Sequence, residues 1–310
     1  MPTQVLVTGA AGYLGGEVCK AIAETGRELR AVDHVYRKDL PFRLEVADLL
    51  DGARVYRLLE GCDAVVHLAN HPNMHRRIRA QQLYQENVTL DMNVFQAAVD
   101  VGIKCLVFSS SIQAMSGDRD LDWHDDGADR PSCLAYLPID GDAPACPRNA
   151  YALSKEAGEL QLRYFAALDA ELSATAIRYP FLLSERHLHW FRRYRRRREG
   201  EEDAAKRYWG KPDEGFAYLH VADAASLVVA ILQKCPPGYH QLLPAAPEPY
   251  VDTPVAEMVE QLYPGVPLKV PADQLTALVD ISAITDLLGW APQHTGLFAA
   301  DADDDARDGE

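Results

Sequence analysis

Short apolar runs alternate with longer segments of helical periodicity over the first 180 residues. The runs are "QVLVTG", "ELRAVD", "FRLEVAD", "DAVVHLA", "KCLVFSSS" and "SATAIRYP", and runs of this length predict buried strands. Between most of them lie stretches whose apolar residues recur about every 3.6 positions, such as "YLGGEVCKAIAETG" and "LYQENVTLDMNVFQAAVDVG". This alternation predicts an α/β fold, in which a doubly wound parallel Rossmann sheet carries helices on both faces.

After Pro180 the pattern changes to a charged segment, then "GFAYLHVADAASLVVAILQ", a proline-rich connector, "PVAEMVEQLY" and "ISAITDLLGW". We therefore predict a Rossmann domain over residues 1–180 and a smaller, mixed α/β substrate-binding region over 181–298. An acidic tail over 299–310 is predicted to be disordered. The segment 116–148 is rich in Asp, Gly and Pro and is too long for an ordinary connection, and such loops usually cover a site or move.

Composition narrows the class of protein. With 310 residues and 48% hydrophobic content, the chain can bury one large α/β core or a core with a smaller companion. It has no apolar stretch of about 18 residues and no leader pattern, so we predict a cytoplasmic protein without a membrane span. Six scattered cysteines without a CxxC pair are predicted to be reduced thiols. The net charge of −15 makes nucleic acid an unsuitable partner.

One segment opposes the acidic balance. The run "RRYRRRREG" extends from Arg192 to Gly200 and includes the basic residues Arg192–Arg198. It is either a solvated, basic helix face beside the acidic residues that follow, or an anion contact for a phosphorylated substrate.

Three glycines follow the first apolar run. Gly9, Gly12 and Gly15 in "VLVTGAAGYLGGEV" stand between a predicted strand and a predicted helix. Glycine allows the tight turn, the approach of a pyrophosphate to the backbone and the close packing of helix on strand. The N-terminus of the helix then faces the anion. In this context the glycines predict a dinucleotide site.

Asp33 ends the second apolar run, 18 residues after Gly15. A carboxylate at this place can accept hydrogen bonds from the ribose hydroxyls of adenosine, and it would repel a 2′-phosphate. Taken alone, Asp33 could be an ordinary turn residue. Arg37 and Lys38 weaken the preference without reversing it. The sequence therefore predicts NAD rather than NADP as the cofactor.

A tyrosine and a lysine stand four residues apart in "RNAYALSKEAGEL". On a helix, Tyr151 and Lys155 share one face, one turn apart. This spacing suits either a surface pair or a proton-transfer couple, and the local sequence does not decide between them.

Several motifs, taken in order, resemble those of a known family. They are "TGAAGYLG", "ADL" at Asp48 and Leu49, "HLAN" at 67–70, "FSSS" ending at Ser111, and "YALSK" from Tyr151 to Lys155. Together they resemble the extended short-chain dehydrogenase/reductases, the NAD-dependent epimerase/dehydratase family. The segments "AYLHVADAASLVVAIL" and "DISAITDLLGWAP" are similar to that family's C-terminal signatures. The resemblance covers nearly the whole chain except the tail and the 116–148 segment.

The resemblance implies roles for individual residues. Tyr151 would exchange a proton with the substrate hydroxyl while hydride passes to or from the nicotinamide. Lys155 would hold the nicotinamide ribose and lower the pKa of the tyrosine, and Ser111 would hydrogen-bond the reacting oxygen. The implied cofactor-binding residues are Gly9, Gly12, Tyr13, Leu14, Gly15, Asp33, Asp48, Leu49, Leu68, Ala69, Asn70, Asn87, Ser109, Tyr151, Lys155 and Tyr179.

Elementary electrostatics agrees with these roles. A tyrosine with a pKa of about 10 needs a shift of roughly 3 units, or about 4 kcal/mol, to act as a base at neutral pH. A cation about 5 Å away contributes roughly 3 kcal/mol at an effective dielectric constant near 20. We therefore expect Lys155 to supply most of the shift and the positive nicotinamide ring to add the rest.

Departures from the family pattern narrow the expected reaction. Dehydratases and decarboxylases resemble one another in placing an acid just after the serine, whereas this chain has Ile112 and Gln113. Epimerases often have Tyr-Gly soon after the serine, where this chain has "MSG" at 115–117. Members acting on UDP-sugars tend to carry an arginine four residues before the histidine that matches His220, where this chain has Phe216. An apolar ring cannot replace that fork of donors.

The leading hypothesis is an NAD-dependent oxidoreductase that transfers hydride at a secondary hydroxyl of a sugar or sugar-like small molecule, as a dehydrogenase or an epimerase. The alternative is an NAD-binding regulator or scaffold with little catalysis. The resemblance also implies a homodimer formed through the helices around 80–101 and 149–170. No metal site is predicted, because His71 with His75 and His187 with His189 lack a third ligand in the sequence nearby.

Overall fold

The computed structural model describes residues 2–72, 78–116, 131–184, 187–188, 210–251 and 253–296. Within these ranges seven strands form one parallel sheet in the order β3-β2-β1-β4-β5-β6-β9. The strands are β1 Gln4–Thr8, β2 Glu28–Asp33, β3 Leu44–Val46, β4 Ala64–His67, β5 Cys105–Ser111, β6 Ser173–Tyr179 and β9 Gly238–Leu242. Two further strands, β7 Phe181–Leu183 and β8 Tyr218–His220, pair with each other outside this sheet.

Helices cover both faces of the sheet. They are α1 Tyr13–Glu24, α2 Gly52–Leu59, α3 Ala80–Asp100, α4 Ala150–Leu168, α5 Val221–Lys234, α6 Val255–Leu262 and α7 Ser282–Leu288. One face packs against α1 and α5 around Val18 and Leu227, and the other against α2, α3 and α4 around Phe95 and Leu162. The central strands are buried on both sides, which explains their nearly continuous apolar sequences. The predicted doubly wound Rossmann fold is therefore confirmed.

Residues after Pro180 add a strand and a helix to the Rossmann sheet and its cover, so they do not fold apart from it. Strand β9 pairs with β6, and α5 packs on α1. A third core joins apolar residues such as Ile139, Phe216 and Met258, and we call the part of the protein around it the smaller lobe. Two single bridges connect Leu137 with Leu268 and Ile139 with Val279. Residues on both sides of position 180 thus build the sheet and the smaller lobe together.

Three of the sequence predictions fall outside the described residues. They concern the acidic tail at 299–310, the basic run Arg192–Arg198 and residues 117–130 of the 116–148 segment. Throughout the described ranges, no helix is both long and apolar enough to cross a membrane.

Candidate active site

The glycine turn between β1 and α1 is shaped by close backbone contacts. Gly9 has a φ of +70°, and a Cβ there would lie 2.8 Å from the amide nitrogen of Ala69 at the end of β4. A Cβ on Gly15 would lie 2.0 Å from the carbonyl oxygen of Gly9. At Gly12, which precedes the helix, a Cβ would meet only that same oxygen, at 3.1 Å. Two of the glycines thus make the turn possible, and the third leaves the helix N-terminus open to an anion.

Asp33 lies beside this turn at the end of β2. It is only 8% exposed, and its two carboxylate oxygens accept hydrogen bonds from the backbone nitrogens of Ala11 (3.0 Å) and Val35 (3.1 Å). Arg37 donates to the carbonyl oxygen of Ala11 (3.0 Å) and pairs with Asp39. The carboxylate is therefore held at the turn, with a guanidinium close by.

The remaining residues predicted for the adenosine side lie along the next strands. Asp48 is exposed and accepts a hydrogen bond from the nitrogen of Leu50 (2.9 Å), whereas Leu49 is buried. Leu68 and Ala69 follow β4, and their backbone nitrogens donate to Thr8 Oγ1 at 3.2 and 3.3 Å. These residues line the carboxyl edge of the sheet, where ligands of doubly wound folds bind.

Helix α4 presents the tyrosine and the lysine at the same edge. Asn149 caps its N-terminus by accepting a hydrogen bond from the nitrogen of Ala152 (2.8 Å), so Tyr151 stands in the first turn. Ser111 ends β5, and its hydroxyl is near enough to the phenol of Tyr151 to lower the pKa of that phenol. The acid/base candidate and its polar partner are thus positioned by a helix start and a strand end.

Lys155 is 2% exposed, and its ammonium group makes two hydrogen bonds. Its Nζ donates to Asn70 Oδ1 (2.5 Å) and to the carbonyl oxygen of Ser109 (2.6 Å). The same Nζ lies 5.5 Å from the centre of the Tyr151 ring and 5.0 Å from that of Phe108. The helical spacing read from the sequence therefore brings a partly buried tyrosine next to a buried lysine, and the two do not form a surface pair.

Burial sets the acidity of this couple within the protein itself. It raises the pKa of Tyr151 to about 12, while the hydroxyl of Ser111 lowers that pKa and the carboxylates of Glu214 and Asp91 raise it. Burial also lowers the pKa of Lys155 to about 8, against the charges of Asp91 and Glu159. Burial is the largest of these effects on Tyr151, whereas our expectation of a more acidic phenol included the charge of the nicotinamide ring.

Four further predicted residues lie around this centre. Tyr13 begins α1 and contacts the ring of His187, with centroids 5.4 Å apart, and Leu14 packs on the neighbouring core. Tyr179 ends β6 beside Ser111, and its buried Oη has no hydrogen-bond partner among the described residues. Asn87 donates to Ser154 (3.0 Å) and accepts from the backbone nitrogen of His71 (2.7 Å), so it joins α3 to α4 and to the β4 loop.

A model of one protein family, described as the NAD dependent epimerase/dehydratase family, matches residues 5–241. The chain belongs to this family. Members of this family are NAD-dependent. In this chain the glycine turn, the open N-terminus of α1 and the carboxylate of Asp33, which two backbone nitrogens hold in place, fit NAD. The expected family, the Rossmann fold and the cofactor class are confirmed.

Individual members of the epimerase/dehydratase family are only moderately similar. The chain is 26% identical to UDP-glucose 4-epimerase of Corynebacterium glutamicum, over 95% of this chain and 92% of the relative. It is 29% identical to L-arabinose 1-dehydrogenase (NAD(P)(+)) of Haloferax volcanii, over 72% and 84%. The solved UDP-glucose 4-epimerase from Bifidobacterium longum, in complex with NAD+ and UDP, superposes with a TM-score of 0.67 at 18% identity, covering 96% and 95%.

Sequence reasoning missed two carboxylates that act on the couple. Asp91 lies in α3 and Glu214 in the short helical turn Pro212–Glu214, and both are buried. Asp91 could have been noticed, because it shares the apolar face of α3 with Leu83 and Val94. Glu214 follows no periodic pattern, so only the folded chain reveals its position.

The departures from the family pattern have clear structural places. Ile112 is buried in the smaller lobe's core, and Gln113 accepts a hydrogen bond from Asn149 (3.4 Å). Phe216 is fully buried against Tyr250, with ring centres 5.7 Å apart. His75 and His189 lie outside the described residues, and within those described no group of three or more His, Cys, Asp or Glu side chains is arranged to hold a metal.

Proposed function

We propose that the protein is an NAD-dependent oxidoreductase that transfers hydride at a secondary hydroxyl of a sugar or sugar-like substrate. The observation that carries the proposal is the convergence of Tyr151, the neighbouring Ser111 and the buried Lys155 at the sheet edge that holds the glycine turn. A hydroxyl placed between Ser111 and Tyr151 has a hydrogen-bond partner and a proton acceptor at once.

Each residue of the proposed site has one task. Ser111 hydrogen-bonds the reacting oxygen, and Tyr151 takes its proton during oxidation or returns it during reduction. Lys155, fixed by Asn70 and Ser109, holds the ribose next to the nicotinamide. NAD, when bound, accepts the hydride from the carbon that carries the hydroxyl. The glycine turn and the start of α1 bind the pyrophosphate.

The high pKa of Tyr151 limits when this chemistry can start. A phenol with a pKa of about 12 is almost entirely protonated at neutral pH. A positive charge within about 5 Å is worth roughly 3 kcal/mol at an effective dielectric constant near 20. The oxidised cofactor would bring such a charge, and together with the ammonium group of Lys155 it would lower the pKa of Tyr151 toward the neutral range.

The buried Phe216 favours a substrate without a nucleotide. A diphosphate needs a fork of donors, and this ring faces Tyr250 in the core of the smaller lobe.

The similarity to L-arabinose 1-dehydrogenase agrees with a free sugar, so we favour a dehydrogenase that releases its product. An epimerase is the second candidate, because the similarity to UDP-glucose 4-epimerase extends over 95% of the chain. Ile112 and Gln113 offer no proton to exchange, which disfavours dehydration.

Turnover with a panel of sugars tests the proposal. Purified protein would be incubated with NAD and free aldoses, sugar phosphates or UDP-sugars. A dehydrogenase accumulates NADH absorbance, whereas an epimerase converts a UDP-sugar without net NADH. If neither signal appears while calorimetry shows NAD binding, the regulator or scaffold hypothesis replaces this one.

Replacing Asp33 with asparagine should relax the choice of dinucleotide. The exchange keeps the shape of the side chain and removes the charge that repels a 2′-phosphate, so the NAD over NADP affinity ratio should fall about tenfold, or about 1.4 kcal/mol. Calorimetric titration of both dinucleotides measures the ratio. Asp286→Asn, an equal charge change on the exposed face of α7, is the control. An unchanged ratio in Asp33→Asn would remove Asp33 from the cofactor site.

The proposed homodimer has a suitable surface. Helix α4 exposes an apolar stripe of Leu153, Leu160, Tyr164 and Leu168, beside Met92 of α3. Leu160→Glu should convert the dimer to a monomer, because a carboxylate cannot be desolvated at the centre of such a contact. Light scattering coupled to gel filtration measures the mass, with the exposed Val270→Glu as a control. A wild-type monomer at micromolar concentration would contradict the dimer.

The assignment of residues 181–298 to substrate binding and the cytoplasmic location remain predictions. The first is supported by Glu214, whose charge acts on Tyr151 from the smaller lobe.

A further inference from the structure

A continuous chain of buried polar groups connects the first strand to Lys155. Thr8 Oγ1 lies 2.7 Å from His67 Nδ1, and His67 Nε2 lies 3.0 Å from Asp91 Oδ1. Asn70 donates from Nδ2 to the same Asp91 oxygen (2.9 Å) and accepts at Oδ1 from Lys155 (2.5 Å). Thr8, His67, Asp91 and Lys155 are each at most 2% exposed.

In this series of buried hydrogen bonds, the donor and the acceptor of each bond follow from the other bonds that its atoms make. Thr8 Oγ1 accepts from the backbone nitrogens of Leu68 and Ala69, so its proton is given to His67 Nδ1. His67 then donates from Nε2 to Asp91 Oδ1. Because Asp91 accepts from the amide nitrogen of Asn70, the amide oxygen of Asn70 must face Lys155.

Two carboxylates lie near Lys155, and Asp91 is the one whose negative charge is not balanced by an arginine. The other nearby carboxylate, Glu159, accepts from Ser110 (2.6 Å) and from Arg178 Nε and Nη2 (both 2.8 Å), so a buried guanidinium balances it. Asp91 receives hydrogen bonds from His67 and Asn70, and no lysine or arginine forms an ion pair with it among the described residues. Its Oδ2 has no hydrogen-bond partner in the described ranges and lies where a Cβ on Gly158 would approach it to 2.7 Å.

We propose that Asp91 is a positioning residue of the active site, which keeps Lys155 charged and, through Asn70, holds its ammonium group in place. The inference rests on the proposed role of Lys155. The groups that face the lysine are Asp91 of α3, Asn70 and His67 from the end of β4, Ser109 and Phe108 of β5, and Tyr151 and Glu159 of its own helix. Of the two carboxylates among them, Glu159 pairs with the guanidinium of Arg178, whereas no arginine or second lysine pairs with Asp91 among the described residues.

The effects of burial and of nearby charges on the pKa of Lys155 agree with this role. Burial lowers the pKa of the lysine to about 8, and Asp91 is the first of the two carboxylates that oppose the shift. Asp91 also raises the pKa of Tyr151, but it is the smallest of the effects on that phenol. Removing the charge of Asp91 should therefore lower the pKa of the lysine.

Direct titration of the lysine tests the proposal. The chain has eight lysines, so ¹³C labelling at lysine Cε gives few NMR signals, and the Lys155 signal is the one missing from Lys155→Arg. Asp91→Asn keeps the hydrogen bonds from His67 and Asn70 and deletes only the charge. We expect the Lys155 titration midpoint to fall by about one pH unit, a tenfold change in acid dissociation constant, and kcat/KM at neutral pH to fall with it.

Asp100→Asn is the matched control, because it makes the same exchange at the end of α3, where the carboxylate accepts from Tyr56 and Gln96. A merely structural Asp91 would change thermal stability and leave the titration midpoint in place, and that result would overturn the inference. If Asp91→Asn does not fold, Asn70→Ala removes the bridge, and a wild-type midpoint in that variant overturns it equally. Full activity in Lys155→Arg would instead contradict the proposed function.

Discussion

Replacing Tyr151 with phenylalanine is expected to slow hydride transfer by about 10²- to 10⁴-fold, the usual contribution of a positioned general acid or base. The exchange removes one oxygen at the start of α4 and leaves the ring, the helix cap and Lys155 as they are. NAD affinity should therefore change little. Initial rates from NADH absorbance, together with calorimetric NAD binding, measure the two effects separately.

Tyr164→Phe provides the control for this experiment. Tyr164 lies in the same helix and is 56% exposed, so the loss of its hydroxyl should leave the rate unchanged. A Tyr151→Phe enzyme with wild-type turnover would remove the tyrosine from the reaction, and the NAD-binding regulator would become the better hypothesis.

Adjacent glycines in α1 should respond to alanine in opposite directions. In Gly15→Ala the new Cβ would lie 2.0 Å from the carbonyl oxygen of Gly9, so the turn and the helix must move apart. We expect a loss of about 3 kcal/mol in the free energy of unfolding, at the upper end for overpacking, and strongly weakened NAD binding. In Gly16→Ala the Cβ meets nothing within 4 Å, and a helical alanine should add about 0.5–1 kcal/mol.

Urea unfolding and NAD titration of both variants measure these effects. Because the two sites are neighbours in one helix, differences in helix propensity cancel in the comparison. Equal stability of Gly15→Ala and Gly16→Ala would contradict the close packing of α1 against the β1 turn, and with it the geometry proposed for the pyrophosphate.

Local requirements explain which parts of the site could be predicted from sequence. Most of the glycine turn was predictable because Gly12 and Gly15 are required by contacts with Gly9 inside the same seven-residue turn, whereas the contact of Gly9 with Ala69 is a tertiary one. The pairing of Tyr151 and Lys155 was predictable because a helix fixes its own i, i+4 geometry. The strand runs were predictable because a strand buried on both faces is apolar throughout.

Tertiary contacts explain what the sequence did not reveal. Asp91 could be suspected as a polar residue on an apolar helix face, but its link to Lys155 depends on how α3 packs over the end of β4. Glu214 is brought to Tyr151 by the smaller lobe, without any local signal. Burial raises the pKa of Tyr151, and this effect could not be predicted, because the spacing of charges in a sequence does not report desolvation.

The two hydrogen bonds that hold Lys155 have a consequence for the thermodynamics of cofactor binding. An immobilised lysine loses up to about 2 kcal/mol of rotamer freedom. Since Nζ is already fixed by Asn70 and Ser109 within the protein, this entropy is lost during folding and not when the dinucleotide arrives. The lysine is preorganised, so contacts made to the ribose add to affinity without an ordering penalty at this side chain.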